Sequence, residues 1–173
     1  TTHDTQGSDM GLAGGLMGWE ADDERLPASM EFLRQSGVRL RIETVDAGDP
    51  HPNTYRLTLR RGAGTRFLRA ISTGGGMIEV LNVDAFNVSM FGDCFETLLW
   101  ADGRAPELAR RLTALVSDGT VCLHGADDAR LVEVKADRFV DDEVLAPLRK
   151  EFDVRAVVRL GPVLPVLTRR DTR

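Results

Sequence analysis

Leu108, Leu112 and Leu115 recur at the three-to-four spacing of a helix face, and Val38, Leu40 and Ile42 alternate with Arg39, Arg41 and Glu43 as a half-buried strand would. These two periods divide most of the chain into elements. Ser8-Asp9 supplies helix-starting residues ahead of Leu12, Leu16 and Met17. Leu26, Met30 and Leu33 predict a second helix, with Pro27 in its first turn and Gly37 just past its end. Tyr55, Leu57 and Leu59 then alternate with polar positions, and Arg61-Gly62-Ala63-Gly64 reads as a hairpin turn returning through 67–71. A second strand pair is predicted at 77–81 and 86–88, around Asn82-Val83-Asp84.

The remainder has a different rhythm: a strand over 97–100, a helix over 106–116, strands over 121–123 and 131–134, a helix over 142–152 and a last strand over 154–160. That order is βαββαβ, the ferredoxin-like split unit. The fold class expected is therefore α+β: two helices with an antiparallel sheet over residues 1–92, a βαββαβ domain over 93–168, and a tail over 169–173. The boundary is expected near Gly92-Asp93.

At 173 residues, with 42% hydrophobic and 28% charged positions, the chain can build a globular core. The net charge of −5 disfavours an electrostatic grip on nucleic acid or an anionic membrane. No apolar run reaches the length of a membrane span, and no signal peptide is apparent, so a cytoplasmic protein is expected. The two cysteines, Cys94 and Cys122, are too few for a four-thiolate metal or cluster site, and a reduced pair is expected. No metal site is expected in this chain.

Two polar segments interrupt the core-building pattern. His51-Pro52-Asn53-Thr54 gathers an imidazole, a carboxamide and a hydroxyl; Ser72-Thr73-Gly74-Gly75-Gly76 lets the backbone take positive φ and approach a ligand closely. Together they suit a small zwitterion. His51 is the candidate for proton transfer, with a loop histidine beside proline as the plain alternative. Asn53 and Thr54 either touch the ligand or serve as turn and strand-start residues. Ser72, Thr73, Gly74, Gly75 and Gly76 are candidates for binding a carboxylate through amide donors, with a wide turn or bulge as the alternative. Gly7 and Ser8, at a helix start, could bind an anion or simply cap. His3 and His124 carry little weight, and Met10, Met17 and Met30 read as packing.

These motifs, with Asp22-Asp23-Glu24-Arg25-Leu26-Pro27 upstream and Ile78-Glu79-Val80-Leu81-Asn82-Val83-Asp84-Ala85-Phe86 downstream, resemble the β chain of bacterial iron–sulfur-dependent L-serine dehydratase (L-serine ammonia-lyase). The resemblance covers almost the whole chain. It implies a domain like the allosteric substrate-binding domain of phosphoglycerate dehydrogenase followed by an ACT-like domain, the first lacking an N-terminal segment that the family carries. It further implies a subunit that converts serine, or a related β-hydroxy amino acid, to a keto acid and ammonia together with an α subunit. The [4Fe–4S] cluster would be carried by that partner and not by this chain. Where the family has a histidine, the segment Thr5-Gln6-Gly7-Ser8-Asp9 has Gln6. The other function class is a non-catalytic amino-acid or anion-binding regulatory module. Homodimerisation through strand edges is also expected.

Overall fold

The computed structural model describes residues 7–126 and 129–163. They fall into two compact units that divide between Gly48 and Asp49. Gly92-Asp93, the expected boundary, lies inside the second unit, between two sheets that share a core.

In the first unit, helix α1 (Ser8–Leu16) packs on a 3₁₀ turn (Leu26–Ala28) that runs into helix α2 (Ser29–Gln35). The packing depends on Gly14: a Cβ there would lie 2.4 Å from Leu26 Cδ2. Ser29 is buried and its hydroxyl donates to the Met10 carbonyl at 3.0 Å. Gly37, at φ +79°, ends α2 as its sequence position implies. The strand expected over 38–42 is absent. Leu40 and Ile42 are half-buried but Val38 is exposed, and no other strand pairs with the segment among the described residues. A strand is a property of two segments, and periodicity in one cannot supply the second.

The second unit opens with a four-stranded antiparallel meander: β1 (Thr54–Arg61), β2 (Gly64–Gly74), β3 (Met77–Val83) and β4 (Phe86–Met90). The Gly62-Ala63 turn forms where expected. The β3–β4 turn is Asp84-Ala85, and the Asp84 carboxylate anchors it by accepting from the Phe67 amide and pairing with Arg66 at 2.6 Å.

The βαββαβ order also forms: β5 (Phe95–Ala101), α3 (Ala105–Leu115), β6 (Thr120–His124), β7 (Arg130–Ala136), α4 (Asp142–Glu151) and β8 (Ala156–Leu160). The strands pair antiparallel in the order β6-β7-β5-β8. The last strand starts at Ala156 rather than Val154, which is buried at the end of α4. Helices α3 and α4 cover one face through Leu108, Leu112, Leu145 and Leu148 against Leu99, Val132 and Val134. The meander covers the other through Phe86, Val88 and Met90 against Leu98, Trp100 and Leu131. Central strands β5 and β7 are thus buried on both faces, which explains their nearly continuous apolar runs. Among the described residues, the edge strands are β1 and β4 in one sheet and β6 and β8 in the other.

Among the described residues, no helix is long and apolar enough to cross a membrane. The expected tail, 169–173, and His3 lie outside the described residues. Leu99 is fully buried in the helix-side core, so Leu99→Ala is expected to cost about 2–5 kcal/mol of unfolding free energy, read from urea titration.

Candidate functional site

The two polar segments meet at one end of the meander. β1 begins at Thr54, whose register partner on β2 is Ile71. One residue outward, the Ser72 amide donates to the Asn53 carbonyl at 3.0 Å. The ladder between β1 and β2 therefore sets the distance between the segments. Beyond it, β2 continues to Gly74 and turns through Gly75-Gly76 into β3.

Within the first segment, the bonds close a compact loop. The Asn53 amide donates to His51 Nδ1 at 3.2 Å, and the Thr54 hydroxyl donates to the His51 carbonyl at 2.6 Å. Thr54 therefore holds the loop in this arrangement, as its strand-start alternative implies. With Nδ1 accepting, the neutral imidazole carries its proton on Nε2. His51 is half-buried, while the Asn53 side chain is exposed.

The second segment is a turn with a shifted register. Gly74, Gly75 and Gly76 stand at φ +97°, +62° and +82°. The two-residue loop with both φ positive is the hairpin type that matches strand twist, and it selects glycine without help from a ligand. A register shift between Ser72 and Gly74 adds a bulge. A Cβ on any of the three would meet nothing within 4 Å, and the turn is exposed. Ser72 is half-buried and Thr73 exposed.

The face of the meander turned away from the second sheet supplies charge nearby. Arg56 and Arg69 are cross-strand partners, an arrangement that like charges disfavour. Asp49 relieves it by a two-pronged pair with Arg56, at 2.8 and 3.2 Å. The hydrogen bonds from Arg56, followed by the charges of Arg56 and Arg69, hold the Asp49 carboxyl below its usual range. Neither arginine was singled out by the sequence, because only the register brings them together.

Gly7 and Ser8 stand in the first unit. Gly7 occupies the cap position of α1 at φ +70°, and Ser8 is the first helical residue. No side-chain capping hydrogen bond is formed at this helix start.

A second cluster was missed. Glu96 on β5 and Glu133 on β7 are 2% and 1% exposed, on the face packed against the meander. Lys135 lies 3.6 Å from Glu96 and 3.5 Å from Glu133, and His124 Nε2 lies 2.7 Å from the other Glu133 oxygen. Burial, then the Glu133 charge, pushes the Glu96 carboxyl up to about 7. Burial opposes the charge on Lys135, but Glu133 and Glu96 outweigh it and hold the ammonium above its usual value. Burial first, then the Glu96 and Asp93 charges, pushes the Cys94 thiol up to about 12. The signal in the sequence was two glutamates inside otherwise apolar strands, with Cys122-x-His124 alternating on the neighbouring strand.

No family model matches the chain. It is 25% identical over 166 residues to the "Probable L-serine dehydratase, beta chain" of Bacillus subtilis (strain 168), covering 92% of this chain and 76% of the relative. It is 30% identical over 95 residues to the "L-serine dehydratase, beta chain" of Peptoniphilus asaccharolyticus, covering 54% of this chain and 42% of the relative. The chain is a homologue of L-serine dehydratase beta chains. The resemblance read from its motifs is thereby shown, and the match to the Bacillus relative covers most of the chain.

Two outcomes follow from these sites. Gly75→Ala forces a side chain into a left-handed turn and is expected to cost about 1–2 kcal/mol in urea unfolding. The raised Glu96 carboxyl makes the folded state hold a proton that the unfolded chain releases near its ordinary value of 4.5. Its contribution to stability is therefore complete below about 4.5 and is lost as pH rises through about 7. Glu96→Gln should flatten that decline in wild-type-minus-variant unfolding free energies; an unchanged slope would contradict it.

Proposed function

We propose that this chain is a non-cluster subunit of an L-serine dehydratase, or of one acting on a related β-hydroxy amino acid, that works with an α-type partner. The observation that carries the reading is the Ser72-to-Asn53 backbone bond, which joins the two polar segments at one sheet end in a homologue of L-serine dehydratase beta chains.

A [4Fe–4S] cluster needs more thiolates than this chain offers. Its two cysteines stand on or beside different strands, short of the thiolates such a cluster needs. The cluster does not fit here, and the reading assigns it to the partner. This chain's own part is to bind and orient. The amides of the exposed Gly74, Gly75 and Gly76 turn, with the hydroxyls of Ser72 and Thr73, would receive the carboxylate of the amino acid. His51, with its proton on Nε2, would donate toward the reacting amino acid or relay a proton, and Asn53 would contact the ammonium or hydroxyl side. Asn53 and Thr54 also keep the imidazole fixed, which lowers the entropy lost when it engages a ligand.

Gln6, where the family has histidine, favours a second reading, a regulatory module that binds an amino acid without chemistry. The two separate cleanly. Co-expressed anaerobically with a cluster-bearing partner, the chain should release keto acid from L-serine, and His51→Ala should lower kcat by about a hundredfold or more. Wild-type turnover in that variant rejects the proton-transfer role. No keto acid with the wild-type pair, alongside calorimetric binding of L-serine by the chain alone, would replace the enzyme reading with the module.

A further inference from the structure

Cys122 and His124 lie two apart on β6 and so share one face of the strand. The β6–β7 register sets Glu133 directly opposite Cys122, with His124 one step diagonal. One thiol sulfur, one ring nitrogen and one carboxylate oxygen thereby come within 4.8 Å of one another. We propose that Cys122, His124 and Glu133 form a binding site for a single Zn²⁺ ion, between the two sheets of the second unit.

The donor set selects the metal. A thiolate, an imidazole and a carboxylate make a mixed set that suits Zn²⁺, whereas Mg²⁺ and Ca²⁺ want oxygen alone. Donors at ~2.0–2.3 Å around a tetrahedral ion stand roughly 3.3–3.7 Å apart. Closing to that spacing needs small side-chain rotations, and His124 and Glu133, now 2.7 Å apart across a shared proton, would open slightly around the ion. Three protein ligands leave the fourth position to water or a small anion.

Buried charge supplies an independent observation. Glu133 is 1% exposed, yet its Oε1 makes no hydrogen bond, and neither does Oε2 of Glu96. Lys135 lies 3.5 Å from that Glu133 oxygen and 3.6 Å from Glu96, so its one ammonium is shared between the two carboxyls. With Zn²⁺ bound, the Cys122 thiolate and Glu133 neutralise the ion, and Lys135 is left to Glu96. Cys94 contacts Glu96 at 3.7 Å and stands outside the three-residue group.

The test uses the full purified chain, stripped with a chelator and then dialysed against Zn²⁺ or Co²⁺. About one equivalent should be retained. The Co²⁺ form should show a thiolate-to-cobalt charge-transfer band, and Zn²⁺ should raise Tm. Cys122→Ser should abolish the band, His124→Gln should weaken Zn²⁺ binding at least about tenfold, and Cys94→Ser should change neither. Should Cys122→Ser fail to fold, the wild-type band, stoichiometry and Tm shift decide the matter. Substoichiometric metal, no Tm shift with Zn²⁺, a band that persists in Cys122→Ser, or one lost in Cys94→Ser would each overturn the site.

Discussion

Face-to-face packing of the two sheets governs the second unit. Phe86, Val88 and Met90 of the meander press on Leu98, Trp100 and Leu131, while α3 and α4 occupy the opposite face. A middle sheet covered on both sides leaves β5 and β7 no solvent face, so every polar residue on them must find a partner inside. Thr97 does so modestly, accepting from the Val140 amide at 3.4 Å. Glu96 and Glu133 cannot escape to water, and Lys135, His124 and the two thiols gather round them. The same packing steadies the inner strands of the meander, whose free end carries the His51 and glycine segments.

Those segments show how a sheet turns sequence distance into proximity. Thr54 and Ile71 are register partners, so the residues just outside the ladder, Asn53 and Ser72, must also be neighbours. The glycines have a structural reason for their identity, since a two-residue loop with positive φ at both positions selects them. That reason and a binding role are compatible, since an exposed turn already fixed by the hairpin loses little further conformational freedom on engaging a ligand. The homology to L-serine dehydratase beta chains gives these donors a substrate class to be tested against.

Much of the fold was legible because its signals are local. The Leu108–Leu112 spacing, the Gly62-Ala63 turn and the Gly37 stop each needed only neighbours in sequence. The 38–42 segment misled for the complementary reason, because alternation records a half-buried face and says nothing of a partner strand. The location of the unit division was hidden as well: contacts between the sheets join residues on either side of Gly92, and no composition shift marks that. The pairing of His51 and Ser72 segments could be suspected from hairpin reading. The charged cluster could not, because β5, β6 and β7 meet only through register, and His124 looked like a strand-end residue until Glu133 stood beside it.

The claim on which the functional account rests is that the polar end of the meander is where an amino acid and a partner subunit meet this chain. Amide hydrogen exchange, followed residue by residue on the chain mixed with a cluster-bearing partner and L-serine, tests it most directly. The account predicts slowed exchange at 51–54 and 72–76, strongest with serine present. Unchanged exchange in both segments, with protection confined to other surfaces, would contradict it.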